Sequence, residues 1–110
     1  MRRAIIIQGL LLASVLSVSM LAARAGYDGE DVYKKTCGNC HHYGVSGAPV
    51  FGDSAAWQPR IEQGKDVLYR HALRGFKSMP AKGANPKLSD SEVRLAVDYM
   101  IERAGSQPAK

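Results

Sequence analysis

The sequence predicts an all-α domain of roughly three to five short helices, and three observations predict it. Apolar residues recur at helical spacing within residues 26–36, 65–74 and 88–104, and start or stop signals bound these stretches. No stretch reads convincingly as a β-strand. The third observation is Cys37-Gly38-Asn39-Cys40-His41, which gives the helices something to wrap around. Two cysteines three apart with a histidine directly after them form a c-type haem attachment signature. One helical turn between the thiols lets each add to a different vinyl group of one porphyrin. His41 can then bring its imidazole under the iron as the proximal ligand. A haem that is covalently held can serve a small chain as most of its core.

The chain has 110 residues, enough for one domain. Met1-Arg2-Arg3 is a basic start, and Ile5 to Leu21 is apolar apart from Gln8, Gly9 and serines. Ala23-Arg24-Ala25 then offers a small-residue cleavage site, so residues 1–25 read as a secretory signal peptide and 26–110 as a single mono-haem domain. As a helix, residues 4–23 would span roughly 30 Å, the length of an uncleaved membrane anchor. The small-residue site and the polar interruptions at Gln8, Ser14, Ser17 and Ser19 favour cleavage. The formal charge is +5. Arg2, Arg3 and Arg24 belong to the leader, so fifteen basic side chains become twelve against ten acidic ones, a formal +2. That balance argues against a nucleic-acid partner. With both cysteines on haem, the haem and not a disulfide staples a marginal core, in an exported, oxidising location such as the periplasm.

The first helix begins with Asp28, Glu30 and Asp31 at the end where negative charge is favoured, and carries Lys34 and Lys35 towards its other end. Val32, Tyr33 and Thr36 should face inward. His42 points away from its neighbour His41 and is expected to be a partly exposed side chain. Tyr43 to Gln63 holds Gly44, Gly47, Pro49, Gly52 and Pro59 without sustained periodicity, and reads as a long loop wrapped around a haem face. Pro49, eight residues after His41, places a carbonyl where it can fix the proximal imidazole, since ligating histidines usually donate their other ring nitrogen. Trp57 is expected to pack against haem or core. A sharper alternative pairs its indole N–H with Arg60 on a buried haem propionate.

Residues 65–74 form a helix with Val67, Leu68, Ala72 and Leu73 on one side, His71 as a surface or satisfied interior group, and Gly75 as the stop. Phe76 to Pro86 is loop and carries Met79-Pro80. The proline holds Met79 extended, so its thioether is presented rigidly. Methionine opposite histidine is the electron-transfer form of c haem, which makes Met79 the sixth ligand. Leu88 to Ala104 is the clearest helix. Ser89 to Glu92 forms a capping box, Leu88 and Val93 a hydrophobic staple, and Val93, Ala96, Val97, Met100, Ile101 and Ala104 one apolar face.

With these elements in place the chain resembles the class I c-type cytochromes, and within them the bacterial cytochrome c5 group. The resemblance runs from about Asp31 to Met100. It rests on the haem motif with Gly47-Ala48-Pro49, Phe51-Gly52-Asp53, Ala56-Trp57-Gln58-Pro59-Arg60, Met79-Pro80-Ala81-Lys82-Gly83 and Val97-Asp98-Tyr99-Met100, in that order. It implies a small class I cytochrome c fold whose first and last helices cross near the haem edge, with iron held by His41 and Met79. It also implies that Pro49 orients His41 and that Trp57 and Arg60 lie near the propionates. Some members of the group carry a cysteine pair before the last helix; this chain has Gly83-Ala84-Asn85-Pro86-Lys87 there and can form no such disulfide.

The function expected is outer-sphere electron transfer with one covalent haem c and no small-molecule substrate, by a monomer or weak dimer. Partners are redox proteins such as membrane respiratory complexes or a terminal oxidase or reductase. Lys34, Lys35, Lys77 and Lys82 are placed to ring the exposed haem edge and steer an acidic partner, or are simply solvated. The rival reading is a haem peroxidase or gas sensor with a labile sixth ligand. A dithiol–disulfide pair lacks the strand that usually precedes it, and His41 and His42 lack zinc-ligand spacing.

Overall fold

The computed structural model describes residues 28–105; the expected leader, residues 1–25, and the last five residues lie outside them. The described residues begin with α1, Gly29–Val32, pass through a five-residue π-helical turn, Tyr33–Cys37, and continue into α2, Gly38–His41. The junction residues Tyr33, Val32, Cys37 and Gly38 are all right-handed helical, so residues 29–41 are one unbroken helix with a wide turn inside it. The haem motif therefore lies in the helix and not after it. Next come α3, Ser54–Ile61, α4, Lys65–Arg74, and α5, Asp90–Gly105, with 3₁₀ turns at Val45–Gly47 and Ala81–Ala84. Among the described residues there is no strand, only an isolated antiparallel pairing of Phe76 with Met79. No helix among them is long and apolar enough to cross a membrane.

The helix ends follow their sequence signals. The Asp28 carboxylate accepts the Asp31 N–H at 2.8 Å, and Glu30 and Asp31 occupy the electropositive first turn. The capping box at α5 is reciprocal: Ser89 Oγ accepts from Glu92 N at 3.1 Å, and Glu92 Oε1 accepts from Ser89 N at 3.0 Å. Leu88 and Val93 are both buried in the same cluster, as a staple requires.

α3 corrects the sequence reading, which makes residues 43–63 a loop. Asp53 caps it by accepting the Ala56 N–H at 3.2 Å. Pro59 sits inside the helix, where a proline usually argues against one. Its missing N–H deprives only the Ala55 carbonyl, one turn earlier, of a helical donor, and the helix runs on to Ile61 and tucks Trp57 under the loop that carries Pro49.

The first and last described helices cross at Gly29. A Cβ there would lie 2.2 Å from the Leu95 carbonyl oxygen and 3.2 Å from Tyr99 Cβ, so only a hydrogen side chain lets α1 approach this closely. The crossing buries Val32, Ala96 and Val97 with Leu68, Ala72, Leu88 and Val93. A second cluster joins Tyr33, Trp57, Met100 and Ala104. Cys37 packs against both, which sets the haem motif at the junction of the core. On the outer side, the Tyr69 hydroxyl donates to the Asp98 carboxylate, which also pairs with Lys65 at 3.2 Å, tying α4 to α5.

Candidate haem site

The wide turn at Tyr33–Cys37 inserts one residue into the helical register, re-aiming everything after it by roughly 100° relative to a straight α-helix. Val32 and Thr36 stay buried before and within that turn, while Cys37 comes out half-buried at the core junction and Cys40 exposed. Burial pushes the Cys37 thiol up to about 11. A reactive dithiol needs the opposite shift, because the thiolate is the nucleophile in disulfide exchange. The oxidoreductase alternative is therefore not favoured by this environment.

His41 ends α2 and is 7% exposed. Its Nδ1 lies 3.0 Å from the Pro49 carbonyl oxygen. A carbonyl only accepts, so Nδ1 carries the proton and Nε2 is left bare. Burial pushes the imidazole's pKa down, the Pro49 carbonyl opposes that, and the Arg60 charge pushes it further down. The outcome is a neutral ring with its tautomer fixed, the form in which histidine binds a metal.

The loop that carries Pro49 is fastened on both sides. Phe51 N donates to the His41 carbonyl at 2.7 Å, and Gly44 N to Cys40 at 2.9 Å. The Trp57 indole N–H donates to the Val50 carbonyl at 3.0 Å, and its ring lies 5.7 Å from that of His41. The sequence reading offers that N–H to a propionate; in the structure it holds the residue next to Pro49. Trp57 thus supports the histidine through the loop, and its packing in the second core cluster matches the plainer expectation. Arg60 stays beside the site, its guanidinium donating to the Ala56 carbonyl.

Met79 is half-buried, packs on the first core cluster and shares one apolar hollow with Cys37, Leu88, Val93, Val97 and Met100. The 3₁₀ turn over this hollow rests on the wide turn: Asn85 Nδ2 donates to Thr36 Oγ1 at 3.4 Å, and a Cβ at Gly83 would sit 3.0 Å from Thr36 Cγ2. Lys82 is drawn inward here. Its ammonium donates to the Leu88 carbonyl at 2.7 Å and pairs with Asp90 at 3.0 Å. Lys34 pairs with Glu30 at 2.8 Å. Lys34 and Lys82, both expected at the haem edge, therefore already have internal partners. His42 is exposed, and His71 stacks on Phe76. Among the described residues, no three of His, Cys, Asp or Glu gather as a metal cage.

The residues present fit a c-type haem. Two free thiols lie one turn apart, one histidine has a bare ring nitrogen, and a thioether borders an apolar hollow beside one of the thiols. Residues 24–100 match the family described as cytochrome c oxidase, cbb3-type, subunit III. The chain is 46% identical over 77 residues to cytochrome c-555 of Chlorobaculum thiosulfatiphilum, covering 66% of this chain and 90% of that protein. Cytochrome c5 of Ectopseudomonas mendocina is 41% identical over 73 residues, covering 64% of this chain and 84% of that protein. The chain belongs to the class I c-type cytochromes. Among solved structures, a crystal structure of an electron transfer complex of nitrite reductase with cytochrome c matches with a TM-score of 0.66 at 39% identity, over 69% of this chain and 93% of that one. As a class I cytochrome the protein carries one covalent haem c with its iron, and it is an electron carrier and not an enzyme.

Proposed function

We propose that this cytochrome is a periplasmic carrier of single electrons between respiratory redox proteins. In this reading residues 1–25 are a signal peptide, 26–110 the mature domain, Cys37 and Cys40 the points of haem attachment, and His41 and Met79 the axial ligands. The observation that carries it is the His41–Pro49 hydrogen bond. It fixes the one imidazole tautomer that leaves Nε2 for iron, on the residue that follows the two thiols.

The haem, once attached, supplies one-electron cycling between ferric and ferrous iron. The chain's own residues set the terms of that cycling. Pro49 and Trp57 hold His41 against reorientation through the short loop between them. Met79 offers a soft thioether, which favours the ferrous state and raises the potential. Leu88, Val93, Val97 and Met100 keep water out of the hollow, limiting reorganisation when the charge changes.

Contact with the partner is proposed at the Cys40 edge. From Thr36 to Gly52 the chain has no Asp, Glu, Lys or Arg, although 23% of its residues are charged. Tyr43, Val45 and Val50 on that stretch are 78%, 45% and 38% exposed. An apolar, uncharged contact replaces the lysine ring as the main docking feature, with a reductase or oxidase of the respiratory chain as the class of partner. The complex of nitrite reductase with a related cytochrome supports that class.

Substituting Met79 by alanine tests the ligand assignment. The variant should keep its haem, lose the ferric methionine–iron band, bind carbon monoxide when reduced and show a lower midpoint potential. A variant that keeps the band and stays closed to carbon monoxide would remove Met79 from the iron. A wild-type protein that binds carbon monoxide readily would favour the peroxidase or sensor reading.

A further inference from the structure

α4 ends at Arg74, and Gly75 N donates to the His71 carbonyl at 2.8 Å. The chain then doubles back on itself. Phe76 N donates to the Met79 carbonyl at 3.0 Å and Met79 N to the Phe76 carbonyl at 2.9 Å, closing a two-residue turn over Lys77 and Ser78. Lys77 takes a left-handed φ of 51° at its first position. Gly75 allows the doubling back, for a Cβ there would lie 3.0 Å from the Met79 carbonyl oxygen and 3.1 Å from Ala81 N.

This turn carries Met79, yet it stands largely in solvent. Phe76, Lys77 and Ser78 are exposed, Phe76 to 46%. Among the described residues, no side-chain hydrogen bond or ion pair ties residues 76–80 to α4. Beyond Met79's own apolar packing on the cluster that includes Leu68 and Ala72, what bridges them is a ring stack. The His71 imidazole lies face to face with the Phe76 ring, centroids 3.8 Å apart and planes 9° from parallel. His71 is carried by a helix that buries Leu68 and Ala72 in the core. Phe76 is joined to Met79 by both ladder hydrogen bonds. The Lys77 ammonium lies 5.3 Å from the centroid of the Phe76 ring and adds a cation–π contact.

An exposed phenylalanine facing solvent has no burial reason to hold one rotamer, so the stack itself selects the conformation. We propose that His71 and Phe76 are positioning residues for the sixth ligand: their stack clamps the turn to α4 and so sets how often the Met79 thioether leaves the iron. The inference rests on Met79 as that ligand, as proposed above. It also gives His71 a role other than that of a spare surface histidine.

The test uses the haem-loaded protein and three readouts: the ferric methionine–iron band, the midpoint potential, and the rate at which cyanide binds ferric iron, which requires Met79 to leave. His71→Ala and Phe76→Ala should each raise the cyanide rate by about threefold to tenfold, the range an aromatic pair supports, while the haem stays attached. The double variant should show about the same increase as either single one, because both remove the same contact. His71→Phe keeps a ring on α4 and should restore a rate close to that of the wild type. Unchanged cyanide rates in both single variants would overturn the clamp, as would effects that simply multiply in the double variant. Met79→Ala in the same assay separates the two layers. If it binds cyanide at the wild-type rate, the ligand assignment itself fails; if it binds fast while His71 and Phe76 variants do not, only the clamp fails.

Discussion

Gly29→Ala is the sharpest test of how this fold closes. The new methyl carbon would sit 2.2 Å from the Leu95 carbonyl oxygen and 2.7 Å from its carbon. Contacts under 3.0 Å do not survive in folded proteins, so α1 must retreat from α5 by about 1 Å. The obstacle is the backbone of a long buried helix, not the end of a flexible side chain, and little relief is at hand. That retreat loosens the contacts of Val32, which is 1% exposed. Overpacking of this kind costs about 1–3 kcal/mol, and the better helix propensity of alanine returns at most about 1 kcal/mol. The net loss should be about 1–2 kcal/mol, or a fall in Tm of about 4–16 °C in a domain of this size. Thermal or denaturant unfolding of the haem-loaded protein, followed by Trp57 fluorescence, measures it. Gly105→Ala is the matched control, because nothing lies within 4 Å of a Cβ there; it should be neutral or slightly stabilising. A Gly29→Ala protein as stable as the wild type would refute the close crossing of the first and last helices.

Two further outcomes follow from the site. The Lys82 ammonium holds the Asp90 carboxyl below the usual aspartate range. A depressed folded pKa stabilises the protein above the unfolded pKa, near 3.9, and the benefit is lost as pH falls through the folded value. The stability gap between wild type and Lys82→Gln should therefore be constant from about pH 5 to 8 and narrow below about pH 4, as acid-unfolding curves of the two proteins would show; a gap that widens in acid contradicts the pairing. The uncharged contact face predicts that electron self-exchange between ferrous and ferric copies, measured by NMR line broadening, changes by less than about twofold with added salt. Val45→Glu should slow it and leave the midpoint potential unchanged, whereas an equal rate in that variant would move the contact elsewhere.

Much of this architecture is written in local signals. Asp28, the Ser89–Glu92 box and Gly75 mark helix ends that need no tertiary partner to be legible, and the inward side of Val32, Tyr33 and Thr36 follows from periodicity. What stayed hidden depends on contacts between distant segments. Gly29 resembles any helix-start glycine until Leu95 is opposite it. α3 was masked by Pro59 and its glycine-rich approach, though Asp53 three residues before Ala56 was a usable capping signal. The wide turn at Tyr33–Cys37 has no sequence mark, because its register is set by Cys37 packing on two clusters at once. Lys82 looked like one of several surface lysines; its partner Asp90 begins the next helix, and the intervening turn has to fold before they meet. The stack of His71 on Phe76 is five residues apart in sequence but crosses a helix end, where spacing rules lapse.

The central claim is a closed haem held by His41 and Met79, and an absorption spectrum of the haem-loaded protein tests it most directly. It is recorded oxidised, then reduced, then with carbon monoxide. The account predicts sharp low-spin reduced bands, a weak ferric methionine–iron band and no shift on adding carbon monoxide. A high-spin spectrum, or ready carbon monoxide binding at neutral pH, would contradict it.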